Sequence, residues 1–229
     1  MNDLRRVWST LSAEEHEVQY NPQKACPSFA FVAGMLAPRG VTTVIANYEL
    51  CPASTLDGVV GSAVAAVEWV HRNIARHGGD AGAITLSGHS AGAHLIAEIL
   101  ATDWPARGID AAVFKGAVLV SGIFDPAPAI ATSVNAELRL TPEIAARHDV
   151  ERRPVLVDCP VHLFAGGLEP WQWIDQTFRY SHHLRRCGRD PQVHVLPGHN
   201  HFSILDGFMD AESPIGSTLV TMTADGGGA

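Results

Sequence analysis

The stretch Ala83-Ile84-Thr85-Leu86-Ser87-Gly88-His89-Ser90-Ala91-Gly92-Ala93-His94-Leu95-Ile96-Ala97 decides how the rest of the chain is read. A short apolar run meets Gly-His-Ser-Ala-Gly and passes at once into residues at helical spacing. This predicts a strand over 83–87, a sharp turn with Ser90 at its apex, and a helix over 91–101. A strand that reverses directly into a helix strains its apex residue. The two arms approach closely, so Gly88 and Gly92 are expected where a Cβ would collide. The turn lifts the Ser90 hydroxyl off the sheet. It also aims the first helical amides, Ala91 foremost, at any negative charge developing there. The competing reading is a serine that merely caps a helix. The strand before and the helix after favour a nucleophile.

Outward from this turn, the chain alternates strand and helix patterns. Phe29 to Leu36 is apolar at helical spacing. Val41 to Asn47 is β-branched and nearly continuously apolar, which predicts a strand buried on both faces. Helical periodicity runs from Leu56 to His77 and stops at Gly78-Gly79. Strands are predicted over Phe114–Val120, Val161–Ala165 and Gln192–Leu196. Helices are predicted over Trp171–Cys187 and Ser203–Met209. Residues 122–154, rich in proline around a helical Pro142–Arg147, read as a cap-like insertion over the sheet edge. In residues 1–27, Ser12 could cap a short helix. Residues 223–229, with their glycine run, read as a disordered tail. The alternation predicts one α/β domain over 1–229, with a mostly parallel sheet covered by helices on both faces. Ligands in such sheets sit beyond the carboxyl ends of the strands.

Composition narrows the function classes. Hydrophobic residues make up 46% and charged residues 17% of the 229, which fits a chain with a substantial core. A net charge of -8 leaves no basic face to neutralise phosphates, so a nucleic-acid partner is not expected. No apolar run is long enough to span a bilayer, and the N-terminus leads into no signal segment. Cys26, Cys51, Cys159 and Cys187 are scattered, without the pairing of a zinc site or a disulfide framework. Reduced thiols in a cytoplasmic protein are the expectation.

A serine hydroxyl needs a base, and the base needs an acid to fix its tautomer. His201, just past the last strand and locked by the apolar run that Phe202 begins, is the expected base. His199 is its rival. His89 is expected to pack beneath the turn, and His94 to be structural. Glu169 directly follows strand 161–165 and is the expected acid. Asp175 ranks second, and Asp158 lies at the wrong end of the sheet. Trp171, Trp173 and Phe124 could line an aromatic-accepting pocket, although aromatics at such spacing also build cores.

With serine, acid and histidine in this order, the chain resembles the α/β-hydrolase superfamily. More narrowly it is similar to the kynurenine formamidase (arylformamidase) and hormone-sensitive-lipase-like carboxylesterase branch. The matching stretches are Asn47-Tyr48-Glu49-Leu50-Cys51-Pro52, Gly88 to Leu95, Leu119 to Asp125, Gly166-Gly167-Leu168-Glu169 and Asn200-His201-Phe202. The resemblance implies nucleophile Ser90, acid Glu169, base His201 and an oxyanion donor at the Ala91 amide. It also implies hydrolysis of an N-formyl aryl amide or a small ester through an acyl-enzyme, without a cofactor. A thioesterase and a non-catalytic binding module are the alternatives; homodimerisation is open.

One departure stands out. The family's His-Gly-Gly oxyanion motif stands on a loop after an earlier strand and is missing from that place; the His77-Gly78-Gly79 of this chain ends the helical stretch from Leu56 instead. Residues 1–27 resemble the family's N-terminal segment, and residues from Ser28 resemble the stretch downstream of the missing motif. The join at Pro27-Ser28 thus reads as skipping a hairpin, a central strand and the oxyanion loop, which are either deleted from the protein or left out of the sequence at this point. Missing N-terminal strands would leave an exposed sheet edge and a weakened site. Loss of one oxyanion donor typically costs about 10²–10³ in rate.

Overall fold

The computed structural model describes residues 30–225. The Ser12 cap, the Pro27-Ser28 join and residues 226–229 lie outside them. The described chain runs α1 (Ala30–Leu36), α2 (Leu56–Asn73), β1 (Ile84–His89), α3 (Ala91–Leu100), β2 (Phe114–Val120), α4 (Asn135–Leu138), α5 (Pro142–Arg147), β3 (Val161–Gly166), α6 (Trp171–Arg186), β4 (Gln192–Leu196) and α7 (Pro214–Asp225). The four strands form one sheet in the order β1-β2-β3-β4, with every pairing parallel. The β1–β2 and β3–β4 crossovers place α3 and α6 against the sheet, α7 packs on β2, and all carboxyl ends gather on one rim.

Strand alternation divides the core. Ala117 and Leu119 of β2 and Leu163 of β3 face one apolar cluster, together with Ile96 and Leu100 of α3 and Tyr180 and Leu184 of α6. Val118, Val120 and Phe164 face the other, packed by Leu36 of α1, by Ile204 and Phe208 of the 3-10 turn Ser203–Phe208, and by Ile215 and Leu219 of α7. Both faces are therefore dry, which explains why β2 reads as an almost unbroken apolar run.

Two expectations need correction. Residues 41–50 form no strand. A strand is held by a neighbour's ladder, and β-branched residues alone do not supply one. The sheet's first position belongs to β1, and 41–47 does not pair with it. The second correction is at the C-terminal end. Residues 223–225, expected to be disordered, close the helix α7. Its β-branched residues and Gly216 are weak helix formers. Packing overrides them: Ile215, Leu219 and Met222 recur at helical spacing and are buried. Ser213 Oγ accepts the Gly216 amide at 2.9 Å, with Pro214 at the first helical position.

The 122–154 segment follows β2 and is fastened to α2 and α3 by charge. Arg147 donates two hydrogen bonds to Asp57, at 3.1 and 2.8 Å. His148 bridges Glu98 and Asp57, at 2.8 and 3.1 Å. Arg153 pairs with the second oxygen of Glu98. The loop's start is held by Gln176, whose Oε1 accepts the amides of Phe124 and Asp125 at 2.7 and 2.9 Å.

Candidate active site

Ser90 sits at the apex between β1 and α3 with φ 56 and ψ -117, a strained backbone for a residue with a Cβ. The bend is held by the Ser90 amide, which donates to the Val120 carbonyl at 2.8 Å. Gly88 is required here: a Cβ on it would lie 2.6 Å from the Gly92 carbonyl carbon. Gly92 differs from expectation. A Cβ on it would enter open space. It is the backbone of residue 92, and not its missing side chain, that crowds the turn. The amides of Ala91 and Gly92 open α3 and have no intrahelical carbonyl to reach, so they face the space beside Ser90.

His201 reaches Ser90 from the loop after β4, with Nε2 3.1 Å from Ser90 Oγ. Its Nδ1 lies 2.6 Å from Glu169 Oε1. A carboxylate can only accept, so Nδ1 carries the proton and Nε2 presents its lone pair to the serine. Glu169 is held in turn: its Oε2 accepts the Gly166 amide at 2.9 Å, and its side chain is fully buried. Gly166 is also structurally required, because a Cβ there would lie 2.4 Å from the His199 carbonyl oxygen. That close approach brings the loop after β4 against the turn after β3. The structure thus brings together Ser90, Glu169 and His201, and Ala91 follows Ser90 as the first residue of α3.

The rivals point elsewhere. His199 Nδ1 donates to the Ser203 carbonyl at 3.2 Å. Asp175 pairs with Arg179 on the exposed side of α6, at 3.2 Å. Asp158 pairs with Arg189 at 3.0 Å. His94 is buried in α3 and donates Nδ1–H to the Ile123 carbonyl at 2.7 Å.

The His89 ring lies against the loop after β4, a contact that the sequence did not signal. Its Nε2–H donates to the backbone carbonyl of His201 at 2.7 Å, and the two rings lie 4.5 Å apart. Burial first, and then the nearby His201, depress its pKa to about 3. The ring therefore stays neutral at ordinary pH and places no charge beneath His201.

The three aromatic candidates separate. Phe124 is core, fully buried and stacked on Tyr180 with ring centroids 4.2 Å apart. Trp171 is exposed. Trp173 belongs to the site: its ring meets His201 edge-on at 5.1 Å, and its indole N–H donates to the Ser121 carbonyl at 2.9 Å. Ser121, at the carboxyl end of β2, holds φ 50. Its signal is positional, since it follows a strand end on the same rim. The cysteines stand apart: Cys51, Cys159 and Cys187 are free thiols. Burial pushes Cys159 up to about 12, far from a reactive thiolate.

The architecture matches solved structures over most of its length. A protein from Silicibacter sp. described as a putative thioesterase superimposes with a TM-score of 0.70 at 25% identity, covering 86% of this chain and 69% of the other. An esterase from Pyrobaculum calidifontis superimposes with a TM-score of 0.62 at 20% identity, covering 87% and 70%. A carboxylesterase family model matches residues 61–160, the segment that contains the elbow.

The chain has the α/β-hydrolase fold.

Within this fold it is related to formamidases and carboxylesterases. It is 29% identical to the kynurenine formamidase of Salmo salar over 94% of this chain and 69% of that protein. It is also 29% identical to that of Danio rerio, over 84% and 66%. It is 30% identical to a probable N-octanoylanthranilate hydrolase of Rhodococcus erythropolis, over 60% of this chain and 35% of that protein. The chain spans about two thirds of the length of the two formamidases. Among the described residues, no helix is long and apolar enough to cross a membrane.

Proposed function

We propose that this α/β-hydrolase-fold protein is a serine hydrolase that cleaves a small acyl aryl amide or ester through an acyl-enzyme. The reading rests on one observation: the unbroken hydrogen-bonded line from Ser90 Oγ through His201 to Glu169, at 3.1 and 2.6 Å. As Ser90 Oγ attacks the carbonyl carbon, its proton passes to His201 Nε2. Glu169 stabilises the imidazolium without taking its proton. The carbonyl oxygen becomes an oxyanion opposite the Ala91 amide and the positive end of α3. The tetrahedral intermediate collapses, and His201 returns the proton to the departing amine or alcohol. Water then attacks the acyl-serine with His201 as base, and Ser90 is regenerated with release of the acid.

The substrate class has two supports. Relatives named kynurenine formamidase and probable N-octanoylanthranilate hydrolase suggest an N-acyl aryl amine. Trp173 places an aromatic ring beside His201, where an aryl leaving group would depart. The thioesterase alternative has the Silicibacter fold match behind it. Steady-state kinetics separate them. N-formylkynurenine should be turned over with kcat/KM at least about tenfold above p-nitrophenyl acetate and above a short acyl thioester, equivalent to about 1.4 kcal/mol in the transition state. A preference for the thioester would transfer the chain to the other class, and no turnover of any of the three would refute the hydrolase reading.

A further inference from the structure

We propose that His94, Glu98 and His148 form a binding site for a divalent transition-metal ion of the zinc class. The site is separate from the Ser90 line. His94 and Glu98 lie one turn apart on α3, and His148 arrives from the 122–154 segment. One donor atom from each can be drawn such that all three lie within 4.8 Å of one another. All three residues are buried.

The orientation of the two rings argues for an ion. His94 Nδ1 must carry a proton, because it meets the Ile123 carbonyl at 2.7 Å. Its Nε2 is therefore an unprotonated acceptor. That atom is buried without a hydrogen-bond partner, and it faces Glu98 Oε1 at 3.7 Å. Glu98 already takes His148 Nδ1–H on this oxygen and Arg153 on the other, so the buried atom left without a partner is His94 Nε2. An ion about 2.0–2.2 Å from each atom fits a gap of 3.7 Å with a wide ligand–metal–ligand angle.

The outer contacts are those that metal-binding imidazoles make. A ligating histidine donates its other N–H to a carbonyl or a carboxylate. His94 does so to Ile123, and His148 Nε2–H does so to Asp57 Oδ1 at 3.1 Å. That leaves His148 Nδ1, now 2.8 Å from Glu98 Oε1, to turn its lone pair to the ion. Its proton is released to solvent when the ion binds. Arg153 holds the second oxygen of Glu98, and Arg147 holds Asp57. Two imidazoles and one carboxylate select zinc or cobalt over magnesium or calcium. A cavity of about 450 Å³, lined by Asp57, Val64, Glu68, Glu98, His148 and Arg153, adjoins Glu98 and His148, with His94 buried behind them. The ion would tie α3, which begins at Ser90, to the 122–154 segment.

The test is Co²⁺ and Zn²⁺ titration of the chelator-treated protein, monitored by visible absorption and calorimetry. The expected result is one equivalent bound, with the intense visible bands of four-coordinate Co²⁺ that Zn²⁺ displaces. His94→Gln should abolish this stoichiometric binding. Asp57→Asn, a half-exposed change that spares the core, should weaken it by about 10- to 100-fold. Absent binding, or binding unchanged in both variants, would overturn the assignment; the latter would place the ion elsewhere on this histidine-rich chain.

Discussion

Ser90→Ala is expected to lower kcat on formyl and acetyl test substrates by at least about 10³–10⁴-fold, with KM and thermal stability nearly unchanged. The hydroxyl is the only atom lost. Ser90 is held at φ 56 by backbone contacts, chiefly the amide bond to Val120, and alanine leaves these in place. The strain remains the same, because an alanine Cβ meets the same left-handed backbone. What disappears is the hydroxyl 3.1 Å from His201 Nε2 that we propose as nucleophile. The oxyanion-facing amides of α3 survive, so some activation of water at the carbonyl can persist. Single-turnover kinetics and a melting curve on the purified variant check both halves. Full activity in a folded Ser90→Ala protein would remove the serine from the chemistry.

Glu169→Gln should cost about as much, roughly 10⁴-fold, for a different reason. The carboxylate has one oxygen on the Gly166 amide and the other on His201 Nδ1. A glutamine there has a single acceptor oxygen. The Gly166 N–H is a fixed donor and claims it, which turns the amide NH₂ toward His201. Nδ1 must then accept, and the proton moves to Nε2. A protonated Nε2 cannot take the Ser90 proton. The shape is conserved, so the loss should appear in kcat with the fold intact by circular dichroism. A loss of less than about tenfold would mean that Glu169 does not set the tautomer.

Much of this arrangement is legible in local pattern. The elbow announces itself because its strand, glycine, serine and helix are contiguous, and β2 and β4 match their predicted spans residue for residue. Glu169 is legible by topology, as the first polar residue after a strand end on the rim; topology leaves His201 beside its rival His199, and the apolar run from Phe202 favours it. Long-range pairing is not legible. Val41 to Asn47 has the composition of a strand, but a strand exists only where a neighbour offers a ladder. The helix Pro214–Asp225 escapes notice for the opposite reason, since its propensities are poor and its stability lies in contacts with Val118 and Phe164 across the chain. His89 shows the same limit within the site. Its bond to the His201 carbonyl joins residues 112 apart, a contact that no spacing rule displays. Gly92 shows that a glycine in a motif need not be the one that lacks room: space for its Cβ exists, and it is the Gly88 position that is closed.

The most direct test of the central claim is covalent. An alkyl fluorophosphonate should label the wild-type protein with one equivalent, and peptide mapping should place the adduct on Ser90. The adduct should be absent from Ser90→Ala and should form far more slowly in Glu169→Gln. A folded wild-type protein that takes no label, or takes it on another residue, would contradict the proposal that His201 and Glu169 activate this serine.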